Sequence, residues 1–408
     1  MLSIKKRITD SQTIHLVHSL RFIDSLATST LAFAVPLIIY ATTRSATWSG
    51  ITFLLEWLPR LTAIPAAGPL VDRYGSSVIF IITNVCRGSI ILATMFAISH
   101  YPHAWLLLVL LAIVSGMCAE ISFVAAEHMG MTIVTRRNSH KIQSMQVAID
   151  QSVLVLGPVV ASSLLAIGTI ATLESIMLLA IGSVILSYGV SKAPLFSYGS
   201  PQQEKRLSIM NGLKTGLSII RTESSLKYAI ISVGMYNVLM GLALSMTPAF
   251  VVERFHLSVA NVGTIWGVGA TVSIVTVLLI ERIVKHIGAT IVGVLSAIIG
   301  CIAMIGIAFT RNYAEYILGL TVFVSMDATY ALFIRTARVR LIPKEHYASA
   351  VGAIVLLLLA PYPIAGGLLA ITPFKYISIL VFSMAVLTLV ATVYGFTKID
   401  RQRIDSSV

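Results

Sequence analysis

The chain has 408 residues, of which 57% are hydrophobic and only 11% charged, with a mean hydropathy of +0.90. A soluble domain of this length needs far more charge to cover its surface, so the composition excludes one and points to a polytopic membrane protein with about twelve spans of about 20 residues. The net charge of +12 would suit nucleic acid only if the basic residues shared one surface, and their distribution along the chain argues against that.

In chain order, apolar spans are expected at about 13–41, 47–70, 76–99, 103–130, 144–167, 170–190, 225–250, 259–281, 288–310, 313–337, 347–371 and 375–397. The start, Met-Leu-Ser-Ile-Lys-Lys-Arg, is basic. The first apolar stretch carries Arg21 and Asp24, so it reads as the first span rather than a secretory leader. With both termini on one side, 22 of the 29 Lys and Arg fall on that side or at its helix ends. Four (Arg44, Arg254, Arg311, Lys375) fall on the other side and three (Arg21, Arg60, Arg87) lie within spans. This bias predicts cytoplasmic termini and no nucleic-acid partner. Cys86, Cys118 and Cys301 sit inside spans with no CxxC or Cys/His cluster, which supports neither a disulfide framework nor a metal site.

Residues 191–224 break the apolar pattern with Pro194, Gly199, Pro201, a Gln-Gln-Glu-Lys-Arg run and an amphipathic piece around 207–220. They divide the chain into an N-terminal six-helix bundle (1–190), a cytoplasmic linker (191–224) whose basic residues face headgroups, and a C-terminal six-helix bundle (225–408). The halves echo each other. Val71-Asp-Arg-Tyr-Gly75-Ser-Ser matches Val284-Lys-His-Ile-Gly288-Ala-Thr, and Ala161-Ser-Ser-Leu-Leu-Ala-Ile167 matches Ala365-Gly-Gly-Leu-Leu-Ala-Ile371. Together they indicate a duplicated helical unit.

Gly68-Pro-Leu-Val-Asp72-Arg73-Tyr-Gly75, between the second and third spans, resembles the G-x-L-[AG]-D-R-x-G-R-[KR] signature of major facilitator superfamily transporters. Small residues there are expected to let helices approach closely, and Gly75 to permit a tight reversal. Ser76 and Ser77 stand where that family carries basic residues, so the usual cationic clasp must be built differently. Phe33-Ala-Val-Pro36, Arg44-Ser-Ala-Thr-Trp48-Ser-Gly50, Leu58-Pro59-Arg60, Pro65-Ala-Ala-Gly68 and Leu341-Ile-Pro343-Lys-Glu345-His-Tyr-Ala348 resemble the branch of enterobactin exporters and macrolide efflux pumps. Gly157-Pro158 resembles the antiporter signature of the fifth helix. His18, Asp24, Ile149-Asp150 and Gly157-Pro158 are also similar to ferroportin-like metal exporters.

The resemblance implies an all-α fold of twelve transmembrane helices in two pseudo-symmetric bundles, with a substrate site near the midplane. It implies a monomer in the bacterial inner membrane that exports a small molecule, a siderophore or hydrophobic drug, by proton antiport. Its energy source is the proton gradient, without a cofactor. The bundles are expected to rock about hinges at Gly68, Asp72, Arg73, Gly75 and Lys285-His286. Proton-coupled uptake and metal export are the alternatives.

An ionisable group at bilayer depth costs about 2.5 kcal/mol or more and marks a cavity or a partner. Arg21 and Asp24, three apart, share a helix face, and Glu56 and Arg60 stand at i,i+4. Glu120, Asp150 and Asp327 lack a sequence-local partner. Asp24 and Glu120 are the first candidates for proton carrier, and Glu127 and His128 are expected to clasp Arg73 or Arg87. Tyr236, Asn237 and Trp266 are candidate substrate contacts in the second half. Two readings of Arg21 and Arg60 stay open: full neutralisation by acids, favouring lipophilic substrates, or release of one arginine to hold a substrate carboxylate. No G-x-S-x-G, HExxH or P-loop is present, which supports no enzyme and no ATP-driven pump.

Overall fold

Within hydrocarbon every backbone N–H and C=O must be paired inside the protein, so long Leu/Ile/Val/Ala runs can cross only as helices or closed barrels. Here they are helices. The computed structural model describes residues 10–101, 105–133, 139–193, 196, 209–258, 261–341 and 354–398, and among these there is no strand.

The helices are α1 (Asp10–Thr43), α2 (Ala46–Tyr74), α3 (Ser76–His100), α4 (Trp105–Thr132), α5 (Ser139–Ile167), α6 (Thr169–Ser191), α7 (Ile209–Thr222), α8 (Ser224–Ala249), α9 (Asn261–Ile287), α10 (Ala289–Phe309), α11 (Tyr313–Leu341), α12 (Pro361–Ile371) and α13 (Ile377–Phe396). A wider turn at Phe250–Arg254 ends α8 just after Pro248. A helical piece from residue 354 precedes α12. Eleven of the twelve expected spans are each occupied by one of these helices; the span expected at 347–371 holds α12 and the helical piece before it, with 347–353 outside the described residues. Among the described residues, eight helices are long and apolar enough to cross a membrane. The amphipathic segment expected in the linker is α7, short and two-faced, while residues 194–195 and 197–208 lie outside the described residues. The stretch 342–348 of the Leu341–Ala348 motif lies outside them too.

The chain forms two compact units, Met1–Thr42 with Leu55–Lys205, and Thr43–Leu54 with Arg206–Val408. The start of α2 thus packs with the second unit and the remainder with the first. In the first unit α3 packs on α4 and α6 over a core of Leu20, Val71, Ile79, Phe80 and Met129. Buried hydroxyls add cross-links, such as Thr83 to Ser122 at 2.7 Å. In the second unit α10 packs on α11 and α13, and α8 on α12 and α13. Ser232 and Thr392 bond at 2.8 Å, as do Thr247 and Tyr316.

The internal repeat has a backbone counterpart in each unit. Gly75 (φ 81°, ψ 147°) begins α3 and Gly288 (φ 87°, ψ 153°) begins α10. Side-chain-bearing residues rarely hold that conformation. In the second repeated stretch, Ala161 and Ala365 are both fully buried. Ile167 and Ile371 close their helices at 76% and 79% exposure.

One packing expectation is corrected. A Cβ at Gly68 would meet nothing within 4 Å, so this glycine is not where helices approach. The close approach is at Gly50, where a Cβ would lie 2.7 Å from Ala370 N and 2.8 Å from Gly366 O. Gly366 sits equally tightly, 2.7 Å from Leu54 N. Gly68 is near the end of α2, facing open space, whereas Gly50 is pressed onto α12.

Candidate functional site

The first unit buries three arginines, each held differently. Arg21 on α1 is buried, and its guanidinium grips Asp150 on α5 with two bonds, Nε to Oδ1 at 3.0 Å and Nη2 to Oδ2 at 2.8 Å. The same Nη2 donates to Glu127 Oε1 on α4 at 2.6 Å, and Phe123 lies under the guanidinium at 5.7 Å. A forked guanidinium suits this planar two-point grip. The i,i+3 spacing to Asp24 is therefore not an ion pair. Arg21 turns to α4 and α5, because two carboxylates there outbid one neighbour on its own helix.

Asp24 turns instead to α3. Its Oδ1 accepts from Asn84 Nδ2 at 2.8 Å and from Arg87 Nη1 at 3.2 Å. Arg87 also donates to Asn84 Oδ1 at 3.2 Å and is fully buried. Asp24 is thus paired with Arg87 on α3 rather than with Arg21 on its own helix. Asn84 is the member that sequence reasoning passed over. A mid-span amide one turn before Arg87 is the signal that could have found it.

The third cluster joins α2 and α4. Arg60 Nη2 donates to Glu56 Oε1 at 2.6 Å, as the i,i+4 spacing implied, and Arg60 Nη1 lies 4.0 Å from Glu120 Oε1. The guanidinium stacks over Trp57 at 4.4 Å. Gly116 allows the fit, since a Cβ there would lie 2.7 Å from Glu56 O and 3.0 Å from Arg60 Nε. A cavity opens beside this cluster, with a polar wall of Thr28, Glu56, Arg60 and Ser115 and an apolar wall of Leu31, Ala32, Val35 and Ala112. Glu56 Oε2, Arg60 Nε, Thr28 Oγ1 and Ser115 Oγ are all buried without a hydrogen-bond partner. Native interiors rarely leave such groups unpaired, and four of them on residues lining one cavity make it the candidate site. Thr28, Ser115 and Gly116 carried no sequence signal, being ordinary small residues of apolar helices.

The signature turn is tied by serine hydroxyls. Ser76 Oγ is 2.7 Å from His128 Nδ1, and Ser187 Oγ donates to Ser77 O at 2.8 Å. The two serines therefore link the start of α3 to α4 and α6 without Lys or Arg. Glu127 and His128 clasp Arg21 and Ser76 rather than Arg73 or Arg87. Arg73 is exposed and stacks on Tyr74 at 5.1 Å. The side chains of Asp72 and Lys285 lie outside the described residues.

The second unit holds an aromatic interior. Tyr236 stacks on Phe323 at 5.1 Å and meets Tyr330 edge-on at 5.3 Å, and Tyr330 donates to Ser232 Oγ at 2.8 Å. Asn237 donates from Nδ2 to Leu358 O at 2.7 Å, bracing the apolar helical piece ahead of α12. Trp266 is buried on α9. Asp327 is partly buried on α11, within electrostatic range of Tyr236, Tyr330 and Tyr362. Among the described residues no cation pairs with it.

Apolar helices that bury paired charges beside a polar cavity are the architecture of a polytopic transporter. The Major Facilitator Superfamily profile matches residues 17–366, and the chain belongs to that family of membrane transporters. A comparison with curated proteins finds no match. Among solved structures, a bacterial homologue of the iron transporter ferroportin in an inward-facing state is similar, with TM-score 0.74 and 13% identity over 95% of this chain and 99% of that one. The nucleoside transporter NupG gives 0.73 and 12% over 94% and 100%. The xylose transporter XylE from E. coli gives 0.71 and 10% over 95% and 96%. These likenesses show the fold.

Proposed function

We propose that this protein is a secondary transporter that exports lipophilic organic molecules by proton antiport and alternating access, as a monomer in a bacterial inner membrane with both termini cytoplasmic. The observation that carries the reading is the Glu56–Arg60–Glu120 cluster beside its cavity, with two carboxylates to one guanidinium. The surplus carboxylate is a place for an exchangeable proton, and no cofactor enters the scheme. Arg21 is likewise outnumbered, by Asp150 and Glu127. Neither arginine is available to a substrate carboxylate without first losing an acid, which moves the substrate from an anionic siderophore toward a neutral or cationic drug-like molecule.

The test is transport in inverted membrane vesicles with an imposed pH gradient, measured against vesicles lacking the protein. A lipophilic dye accumulating in an acid lumen, and released by a protonophore, supports export by antiport. Proton-driven loss of a preloaded compound from the lumen means uptake. Accumulation of a divalent metal ion alone means metal export.

A further inference from the structure

Three unpartnered buried oxygens, Glu56 Oε2, Thr28 Oγ1 and Ser115 Oγ, line the same small cavity. They come from α2, α1 and α4, so three helices contribute one acceptor each. The free space among them is about the size of one water molecule. The fourth unpartnered atom, Arg60 Nε, belongs to a guanidinium already fixed by Glu56, Trp57 and the close approach of Gly116. The local charge is one carboxylate in excess, Glu56 and Glu120 against Arg60.

The chemistry narrows the occupant. An anion would add a third negative charge to a site with one cation. A neutral hydroxyl or amide would leave the surplus charge uncompensated. A quaternary ammonium carries the right charge but has no N–H for the three oxygens. Divalent cations of the calcium type need six or more oxygen ligands, and half of this wall is Leu31, Ala32, Val35 and Ala112. A primary ammonium has one positive charge and three N–H donors on a water-sized head. Only that head occupies the water-sized space, and the carbon chain would leave past Leu31, Ala32, Val35 and Ala112 through the cavity's open side.

We propose that this cavity is a subsite for the primary ammonium group of an amphipathic organic amine, with Glu56, Thr28 and Ser115 each accepting one N–H. The inference rests on the transporter reading above and names the substrate class of its site. A hydronium ion presents the same three donors, so the proton and the amine head compete for one place. That is how cation movement and proton movement become exchange.

The experiment is equilibrium binding of radiolabelled n-hexylammonium to the full-length protein in lipid nanodiscs, with empty nanodiscs subtracted. Hexyltrimethylammonium and hexanoate serve as competitors. Saturable binding is expected, with the trimethyl compound at least about tenfold weaker and hexanoate inactive, as lost charge-assisted hydrogen bonds dictate. Glu56→Gln should weaken binding about tenfold or more, and Thr28→Val and Ser115→Ala about threefold each. Thr28→Ser, which keeps the hydroxyl, should bind like the parent, and that rescue guards against reading misfolding as lost binding. Equal affinity for the primary and quaternary amines, or no effect of Glu56→Gln in folded protein, overturns the proposal. Absence of hexylammonium binding in protein that still shows proton-driven dye transport means a proton-only site. In that case the amine assignment falls and the transport reading stands. Saturable amine binding without proton-driven transport has the opposite meaning.

Discussion

The two units differ in what they bury. The first buries three arginines and sets them against five carboxylates in three separate clusters: Asp24 and Glu56 are buried, Glu120 and Asp150 partly buried, and Glu127 exposed. The second, built on an echo of the same sequence pattern, fills its interior with stacked Tyr236, Phe323, Tyr330 and Phe333, hydroxyl–hydroxyl bonds and one acid, Asp327. One duplicated scaffold thus supports two interiors. Inside the first, charges are paired at defined places. Inside the second, packing and neutral hydrogen bonds hold the helices and no ion pair among the described residues crosses them. On the antiport proposal, this comparison assigns coupling to the first unit and apolar packing to the second.

The strongest way to break that picture is Arg87→Leu. It strands Asp24 in the interior and should cost about 3–5 kcal/mol of stability, because removing one partner of a buried pair leaves an uncompensated charge. Thermal unfolding in detergent checks this, and Asp24→Asn together with Arg87→Leu should recover much of the loss. If the single variant melts like the parent, the first unit's charges are not structural.

The matching lesion in the second unit is steric. Gly366→Val places carbon against the Leu54 backbone, and overpacking of this kind costs about 1–3 kcal/mol. The melting temperature should fall, while pH-driven dye transport by the surviving folded protein keeps its dependence on the gradient. Loss of coupling in well-folded Gly366→Val would blur the division between the units.

A coupling variant comes next. Glu120→Gln removes the surplus carboxylate beside Arg60 and should lower gradient-driven transport about tenfold, about 1.4 kcal/mol in barrier, with little change in melting temperature. Asp327→Asn in the second unit is the control and should leave the gradient dependence in place. The reverse result would move the coupling site to the second unit.

The smallest effects sharpen the packing side. Asn237→Ala leaves the Leu358 carbonyl without its side-chain donor and should destabilise by about 1 kcal/mol. Gly68→Ala meets open space and should stay within about 0.5 kcal/mol of the parent. A large loss at Gly68 would mean that the signature glycine acts through a state other than this one.

The charged positions of the site were legible before the structure because charge is rare in these helices. Arg21, Asp24, Glu56, Arg60, Glu120 and Asp150 stand out against apolar neighbours, and the Glu56–Arg60 pair followed from the pitch of a helix. Their partners across helices were not legible. Arg21 and Asp24 share a face, yet one reaches α4 and α5 and the other α3. Spacing along one helix says nothing about which neighbour is nearer. Thr28 and Ser115 were invisible for a related reason. Small hydroxyl residues are common in membrane helices, where they usually bond their own backbone as Thr83 does. Only position showed that these two do not.

By itself, the sequence determined the helical class and the turn at Gly75 with its repeat at Gly288. These follow from hydrophobic length, from the need to pair every backbone group in lipid, and from a backbone angle that glycine alone holds easily. The tertiary structure decided which acid neutralises which arginine and where the tight glycine contact falls. It also decided that three unpaired oxygens from three helices face one cavity. Those are distances between segments far apart in the chain, and they arise only when side-chain volumes and charges from several helices are satisfied together.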